Sequence, residues 1–256
     1  MTLSSPLSRA ASPSRVLVAD IDGTLLGDVD ALERFAAWHA AHRARYRLVY
    51  ATGRLRASLS EVIAESALPE PDVVISAVGT EIHDGRGRPW PGWAEQFHGW
   101  DANAVRRRLR EFMWLELQPE EAQTRLKASY DVLGLSASDR TTIRRALARG
   151  GLDASIVYNS GLHLDVLPSA AGKGNAARFV VDSWGVAPDD VMVFGDSGND
   201  LDLFQRGFRG TLVANALPEL SVAVGDDAYR SPLAYAAGVL DGIRHWSGPD
   251  WLDIQR

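Results

Sequence analysis

Two carboxylates separated by one residue, Asp20 and Asp22, follow a run of four apolar residues that begins at Val16. Side chains two positions apart in an extended segment lie on the same face, so both carboxylates can reach one small volume. Two like charges this close repel each other, and a divalent cation or a shared proton relieves the repulsion. The pair is therefore a candidate metal-binding or catalytic site. The alternative is an Asx-type turn that ends an ordinary strand.

A second candidate pair, Thr52 and Gly53, follows the predicted strand 47–51 and precedes a helical pattern. A hydroxyl and backbone N–H groups at the start of a helix can bind an anion, because the helix N-terminus adds a favourable partial charge. An isolated Thr-Gly pair would be only a turn. The interpretation of this pair as an anion site therefore depends on the carboxylates that follow the other predicted strand.

Three more candidates lie in the second half of the chain. Asp196 and Asp200 follow the apolar strand 190–194, and Lys173 lies in the first turn of a predicted helix that extends to about residue 184. A lysine at a helix start is ordinarily just solvated. Beside several carboxylates, however, an ammonium group can bind phosphate oxygens.

The elements that must position these groups are strands that alternate with helices. In an open parallel sheet the carboxyl ends of the strands lie along one edge, where ligands bind. The sequence therefore predicts an α/β fold with a Rossmann-like parallel sheet that brings the candidates together. Oxygen ligands of this kind suit Mg²⁺, which readily shares a phosphate oxygen. The groups expected to meet are Asp20, Asp22, Thr52, Lys173, Asp196 and Asp200.

The amino-acid composition changes after residue 84, where a dense cluster of Gly, Pro and Arg residues is typical of a chain that passes from one domain to another. The pattern beyond it predicts a smaller α+β unit. We therefore expect a core formed by residues 15–85 and 168–256, and an inserted cap formed by residues 86–167. Residues 1–14, rich in Ser, Pro and Ala, are expected to be a disordered tail, with a transit-like leader as the alternative.

Composition excludes several classes of function. The 256 residues include no cysteine, which excludes disulfides and thiolate zinc sites. The formal net charge of −6 excludes a broad positive surface for nucleic acid. No apolar run is long enough to span a bilayer, and the start lacks the apolar segment of a secretory signal. We expect a cytoplasmic protein that binds neither nucleic acid nor membrane.

Four segments in order resemble the motifs of the haloacid dehalogenase (HAD) superfamily of phosphohydrolases. They are Asp20–Leu26, Thr52-Gly53-Arg54, Gly172-Lys173-Gly174 and Gly195–Asp200. The insert between the second and third motifs resembles the C2-type cap of that superfamily. Within the superfamily, the chain resembles the sucrose-phosphate phosphatase family in Gly79–Ile82, Gln123–Tyr130 and Tyr158–Pro168. It departs at Arg125-Leu126, where members often have Pro-His or Pro-Trp, and at His163, where Asp or Gly is frequent.

The resemblance implies hydrolysis through an aspartyl-phosphate. Asp20 would be the nucleophile and Asp22 the general acid and base, with Thr52, Gly53 and Lys173 on the phosphate. The resemblance further implies that Mg²⁺ is held by the carboxylates of Asp20 and Asp196 and the backbone carbonyl of Asp22. Asn199 and Asp200 would bind the hydration shell of the metal or orient Asp196. The cap would recognise the sugar, with Lys127 and Glu81 as the strongest candidates. The full candidate set is Glu81, Gln123, Arg125, Lys127, His163 and Asp165, each of which could instead be solvated or structural.

Several substrates and roles stay open at this point. The resemblance implies sucrose 6′-phosphate, and mannosylfructose phosphate or a broader set of sugar phosphates are the enzymatic alternatives. A nonenzymatic sugar-phosphate sensor on the same fold is the alternative from a different class. We expect a monomer, and the protein partner to consider is a sugar-phosphate synthase that supplies the substrate.

Overall fold

The computed structural model describes residues 15–159 and 161–248, so the predicted tail 1–14 lies outside the described residues. In chain order the strands are β1 (Arg15–Ala19), β2 (Tyr46–Ala51), β3 (Val73–Ser76), β4 (Glu81–Asp84), β5 (Glu116–Leu117), β6 (Ala128–Asp131), β7 (Ala154–Asn159), β8 (His163–Pro168), β9 (Val191–Gly195), β10 (Arg209–Leu212) and β11 (Tyr229–Arg230). The helices are α1 (Val29–His42), α2 (Arg56–Glu65), α3 (Ala102–Leu109), α4 (Ala137–Arg149), α5 (Lys173–Ser183), α6 (Leu201–Phe204), α7 (Pro218–Val224) and α8 (Tyr235–Ser247).

A seven-stranded sheet in the order β11-β10-β9-β1-β2-β3-β4 forms the core, and β4 is its antiparallel edge strand. The other strand pairs are parallel, which confirms the predicted α/β class. In register, Ala19 lies between Tyr50 on β2 and Phe194 on β9, so these three strands end at the same level. The residues that follow them therefore meet at one edge of the sheet.

Alternation along β1 shows why the sheet is covered on both faces. Val16 and Val18 pack in an apolar cluster with α5, whereas Leu17 and Ala19 pack on the opposite face with α1 and α8. All four are fully buried. Burial on both faces explains why this strand is continuously apolar.

A second, antiparallel sheet in the order β5-β6-β8-β7 lies within the predicted cap. Its one face is covered by α3 and α4, where Leu164 and Val166 of β8 are buried among residues of both helices. The residues that alternate with them, His163 and Asp165, point to the other face. The face opposite α3 and α4 therefore carries these polar side chains.

The first part of the insert packs on the core rather than on the cap sheet. Trp90 contacts Trp184 edge to face, and Trp93 contacts Phe179 of α5. Their apolar burial against α5 attaches the insert to the core.

None of the helices in the described ranges combines the length and the apolar content needed to cross a membrane.

Candidate active site

Lys173 connects the groups at the carboxyl edge of the core sheet. Its side chain is fully buried, and Nζ lies 2.7 Å from Oδ1 of Asp20, 2.7 Å from Oδ1 of Asp200 and 2.6 Å from Oδ1 of Asn199. An ammonium group has three hydrogens, and each of them has an acceptor here. The charged lysine therefore fixes three predicted site residues around one point.

The start of α5 places this lysine. Gly172 precedes the helix with φ +126°, and a Cβ there would lie 2.5 Å from the carboxylate of Asp202. That carboxylate accepts hydrogen bonds from the backbone N–H groups of Gly174 and Asn175, so it satisfies two donors of the first helical turn. The close approach of the Asp202 carboxylate to Gly172 thus orients the helix that carries Lys173.

Asp200 is a buried acid with every oxygen engaged. Oδ2 accepts hydrogen bonds from the backbone N–H groups of Asp196 and Ser197, while Oδ1 accepts from Lys173. The result is a fixed loop after β9, in which Asp200 orients both Asp196 and the lysine.

Asp196 lies opposite, where Oδ1 accepts a hydrogen bond from the hydroxyl of Thr24 at 2.9 Å. A Cβ on Gly23, which has φ +82°, would lie 2.5 Å from Oδ2 of Asp196. The turn after β1 therefore approaches the loop after β9 through a residue that must be glycine.

Burial and neighbouring carboxylates raise the pKa values of Asp20 and Asp196. Burial is the main cause that raises the pKa of Asp20 well above its usual range; the charges of Asp200 and Asp196 add to it, while Lys173 opposes it. Burial and the neighbouring Asp200 raise the pKa of Asp196 to about 6. The pKa of Lys173 is raised despite its burial, because Asp20 and Asp200 stabilise the ammonium form. More negative charge is concentrated here than one ammonium balances.

The same carboxylates fit a hard divalent cation. Asp20, Asp196 and Asp200 each have an oxygen such that all three lie within 4.8 Å of one another. Oxygen donors with an excess negative charge are the ligand set of such cations. Since both oxygens of Asp200 already accept hydrogen bonds, Asp20 and Asp196 are the better direct ligands.

Asp22 lies apart from this buried group. Its side chain is 50% exposed, and its two oxygens accept hydrogen bonds from Nε and Nη2 of Arg54 at 2.7 and 2.6 Å. This two-pronged contact holds the carboxylate at the mouth of the site. The hydrogen bond that Arg54 donates to the Asp22 side chain also raises the pKa of Arg54.

Thr52 and Gly53 lie on the other side of β1. The side chain of Thr52 is buried and its hydroxyl oxygen accepts a hydrogen bond from the N–H of Arg54 at 3.1 Å, so its hydrogen remains to be donated. Gly53 approaches the amide of Asn199, 3.5 Å from where its Cβ would lie. The structure thus brings Thr52 and Gly53 to the same edge as Asn199.

On the cap, Lys127 forms a buried polar network with two neighbours. Its Nζ lies 2.6 Å from Oγ of Ser129 and 3.0 Å from Oδ1 of Asp165, and the Ser129 hydroxyl donates to the same Oδ1 at 2.6 Å. Across the sheet, Ser129 pairs with Asp165, which pairs with Val157. Val157 packs against the core-side apolar cluster that contains Val78. The row of Ser129, Asp165 and Val157 therefore faces the core.

The other predicted sugar residues occupy different places. Glu81 and Arg125 line one cavity of about 420 Å³ between β4 and the cap, beside Trp93. The Gln123 amide donates to the carbonyls of Gln118 and Ser129 and accepts from the Ser129 N–H, so both of its amide hydrogens serve the cap fold.

His163 is farther along the same polar face of the cap sheet. Its Nδ1 lies 3.0 Å from Oδ1 of Asp131 and 3.1 Å from Nε2 of Gln118. The side chain is about half exposed. It therefore shares the face of Asp165 without touching the Lys127 network.

Sequence reasoning missed four side chains that complete the arrangement. They are Thr24, Arg54, Ser129 and Asp202. Two had a local signal, because Thr24 and Arg54 stand inside motifs already singled out. Ser129 lies two residues beyond Lys127 on a strand, so alternation could have placed it on the same face. Asp202 had no signal, since its contact with α5 is purely tertiary.

Comparison with known families adds an independent observation. The family model described as sucrose-6F-phosphate phosphohydrolase matches residues 13–247. Two curated relatives, each 36% identical, are a mannosylfructose-phosphate phosphatase of Agrobacterium fabrum and sucrose-phosphatase 1 of Nicotiana tabacum. The matches cover 91% and 92% of this chain, respectively. The chain spans 97% of the Agrobacterium protein but 60% of the tobacco protein.

Among solved structures, the chain is similar to the sucrose-phosphatase of Synechocystis in complex with sucrose and phosphate. The TM-score is 0.87 at 30% identity, with 91% of this chain and 98% of the other covered. The similarity therefore extends through both the core and the cap.

Proposed function

The chain belongs to the sucrose-6F-phosphate phosphohydrolase family of HAD-superfamily phosphatases, and we propose that it hydrolyses the phosphate ester of a fructose-containing disaccharide, with sucrose 6′-phosphate as the first candidate. The observation that carries this proposal is the buried group of Asp20, Lys173, Asp196 and Asp200 beneath a polar cap face. A nucleophilic carboxylate, an ammonium group and acidic ligands are the parts that phosphoryl transfer requires.

In the first proposed step, the carboxylate of Asp20 forms a bond to phosphorus while the bond from phosphorus to the sugar oxygen breaks. Lys173 contacts Oδ1 of Asp20, which leaves Oδ2 for the attack. Protonated Asp22 gives its proton to the departing sugar oxygen, and the alcohol leaves. Lys173, the Thr52 hydroxyl and the Gly53 backbone stabilise the charge on the phosphoryl oxygens.

In the second step, the ionised Asp22 takes a proton from water as the water oxygen attacks phosphorus. The bond between phosphorus and Asp20 breaks, which releases inorganic phosphate and restores both carboxyl groups. Because Asp22 is half exposed, it can reach both the leaving group and solvent. Arg54 holds Asp22 near this position between the two steps.

Mg²⁺ is the proposed cofactor, held by Asp20 and Asp196, with the Asp22 backbone carbonyl as a further ligand. Asn199 and Asp200 orient the ligands through their contacts with Lys173 and the loop after β9. When bound, Mg²⁺ supplies positive charge that offsets the carboxylates and the phosphoryl oxygens. The raised pKa values of Asp20 and Asp196 support this proposal, since a cation would stabilise the ionised carboxylates that burial and the neighbouring acids disfavour.

We expect the stabilisation by Mg²⁺ to grow between pH 5 and pH 7.5. Asp196 has a raised pKa of about 6, so in the metal-free protein its contribution to stability is lost as pH rises through that value. Protons compete with the metal below pH 6, and apparent affinity should fall about tenfold per pH unit there. Thermal unfolding with and without MgCl₂ at both pH values measures the effect.

The control for this prediction is Asp196→Asn, which removes the titrating ligand. It should abolish most of the increase in melting temperature with Mg²⁺ at pH 7.5. Equal stabilisation of the unaltered protein at pH 5 and pH 7.5 would contradict the assignment of Asp196.

Lys127 and Asp165 are the proposed sugar contacts in the cap. Lys127→Ala should raise KM for a disaccharide phosphate substantially, while hydrolysis of p-nitrophenyl phosphate changes only a few-fold. The reason is that the network contacts the glycosyl part and not phosphorus, so its loss removes binding energy that only the larger substrate uses. Steady-state kinetics on both substrates measures the difference.

Two further variants separate recognition from folding. Lys127→Met keeps the apolar stem beside Asp165, and Arg145→Ala removes a charge from the exposed side of α4. The Met variant should behave as Lys127→Ala, and the Arg145 variant as the unaltered protein. An equal loss on both substrates, or on neither, contradicts the division between core and cap.

A panel of phosphates tests the substrate directly. The Agrobacterium relative, 36% identical, is a mannosylfructose-phosphate phosphatase, which makes that disaccharide phosphate the second candidate. Release of phosphate from sucrose 6′-phosphate, mannosylfructose phosphate, fructose 6-phosphate and glucose 6-phosphate, with and without Mg²⁺, ranks them by kcat/KM. A similar kcat/KM for all four would favour the broad phosphatase.

The nonenzymatic sensor is the less favoured function. A binding protein has no need of a nucleophile, a general acid and a charge-stabilising lysine, yet Asp20, Asp22 and Lys173 are all present. Tight binding of a sugar phosphate without any turnover in Mg²⁺ would reverse this preference. A cytoplasmic location, a monomeric state and a synthase that supplies the substrate remain predictions.

A further inference from the structure

A cleft of about 920 Å³ lies between the cap and the core along β7. Its cap wall is formed by α4 and β7, and its core wall by the start of α5 and by α6 and α7. Asp20, Asp22 and Thr52 are not among the residues that line it. Lys173 and Asn199 do line it, so the cleft borders the site of the proposed reaction, while the nucleophile Asp20 lies outside the cleft.

The cap strand β7 contacts the loop after β9 at the edge of the cleft. A Cβ on Gly198 would lie 2.5 Å from the carbonyl oxygen of Tyr158, so the backbone of β7 lies directly against the loop after β9. Lys173 and Asn199 line the cleft, while their polar ends contact each other beside Asp20. A molecule in the cleft would thus contact Asn199 and Lys173, the lysine that holds Asp20 in place.

Unbalanced positive charge lines the cap wall. Arg140 and Arg144 lie one helical turn apart on α4, and neither has a carboxylate partner among the described residues. Arg140 lies over the ring of Tyr158, 5.6 Å from its centroid. Two guanidinium groups spaced in this way can bind the oxygens of one anion.

The core wall does not neutralise them. Its acids are Asp202 and Glu219: Asp202 pairs with Arg206 and accepts from the N–H groups at the start of α5, and Glu219 accepts from the N–H of Gly198. Arg206 adds a third guanidinium group on this side. The uncharged polar residues of the cleft carry hydroxyl or amide side chains, and they include Thr141, Ser155, Asn175 and Gln205.

We propose that this cleft is a second binding site, for a small phosphate-bearing anion, that bridges Arg140 and Arg144 on the cap to Arg206 on the core. Guanidinium groups pair readily with phosphate oxygens, and the cleft is large enough for inorganic phosphate or a sugar phosphate. Because the walls belong to the cap and the core, a bound anion holds the two together. Occupancy then slows the cap movements that admit substrate and release product.

Binding to the metal-free protein tests the site without any turnover, so the result does not depend on the proposed substrate. In EDTA, three carboxylates at the reacting site disfavour a second anion there. Calorimetric titrations with inorganic phosphate and with fructose 6-phosphate compare the unaltered protein, Arg140→Ala/Arg144→Ala, and the control Arg145→Ala/Arg149→Ala. The control removes the same charge from exposed positions of α4 that do not line the cleft.

We expect the cleft variant to bind at least about tenfold more weakly than the other two proteins, which should agree within about twofold. The relative affinity of the two anions identifies the occupant as free phosphate or a phosphorylated sugar. Equal binding in all three proteins, or no binding to the unaltered protein up to about 50 mM, overturns the proposal. If the double variant does not fold, Arg144→Gln matched by Arg145→Gln applies the same comparison with a smaller expected loss.

Product inhibition gives a second readout in Mg²⁺, with p-nitrophenyl phosphate as the substrate. Phosphate should inhibit the unaltered protein with a competitive component from the active site and a noncompetitive component from the cleft. The Arg140→Ala/Arg144→Ala variant should lose the noncompetitive component and keep the competitive constant. Purely competitive inhibition of the unaltered protein contradicts the bridging role.

Discussion

Replacing Asp20 by asparagine should lower phosphatase activity by at least about 10⁴-fold on every substrate, because the amide cannot form the bond to phosphorus. Asp20 is only 3% exposed and lies 2.7 Å from Nζ of Lys173. Asparagine keeps the shape and an oxygen that can accept from the lysine. The loss should therefore appear in turnover and not in the fold.

Stability separates this loss from misfolding. Burial and the neighbouring carboxylates raise the pKa of Asp20, so the ionised group is costly in the metal-free protein. A neutral amide removes that cost, and metal-free Asp20→Asn should melt at the same temperature as the unaltered protein or above it. Asp30→Asn, which changes an exposed acid in the first turn of α1, is the matched control. Activity within tenfold of the unaltered protein would remove Asp20 as the nucleophile.

The arrangement around Asp20 shows which parts of an active site can be predicted from an amino-acid sequence. The positions at the strand ends follow from topology, because a parallel sheet places the ends of β1, β2 and β9 side by side whatever the connecting helices do. Asp20, Thr52 and Asp196 each follow one of these strands. Lys173 could be added because a helix that begins beside the same edge points its N-terminus there.

Side-chain direction beyond the strand ends could not be predicted in the same way. Alternation placed Asp20 and Asp22 on one face, but β1 ends at Ala19 and the turn through Gly23 reorients the chain. The Asp22 side chain consequently contacts Arg54 rather than the buried carboxylates. Alternation applies only while the backbone remains extended.

The cap was predicted less completely for a related reason. Its sheet pairs Ser129 with Asp165, residues that are far apart in sequence, and that register depends on the packing of α3 and α4. The sequence indicated Lys127 as a polar residue without a role in the chemistry. It could not show that Asp165 and Ser129 would both contact it, because cross-strand partners follow from register.

Asp22→Asn should lower hydrolysis of the disaccharide phosphate by about 10²- to 10⁴-fold, the range expected when proton transfer by one positioned group is lost. The side chain is half exposed and paired only with Arg54 among the described residues, so the substitution leaves no buried charge without a partner. The fold should therefore remain intact. Both chemical steps should slow, since Asp22 serves as the acid in one and as the base in the other.

The two steps can be separated with p-nitrophenyl phosphate. p-Nitrophenolate leaves without needing a proton, so Asp22→Asn should still form the aspartyl-phosphate on Asp20, whereas the water attack that needs a base becomes slow. Stopped-flow absorbance should then show a burst of p-nitrophenol that approaches one equivalent per protein molecule, followed by slow turnover. Arg54→Gln, which leaves Asp22 chemically intact but removes its two-pronged partner, should lose less activity and show no such burst. A loss of tenfold or less for Asp22→Asn on both substrates, without a burst, would mean that Asp22 only shapes the turn after β1 and that another group transfers the proton.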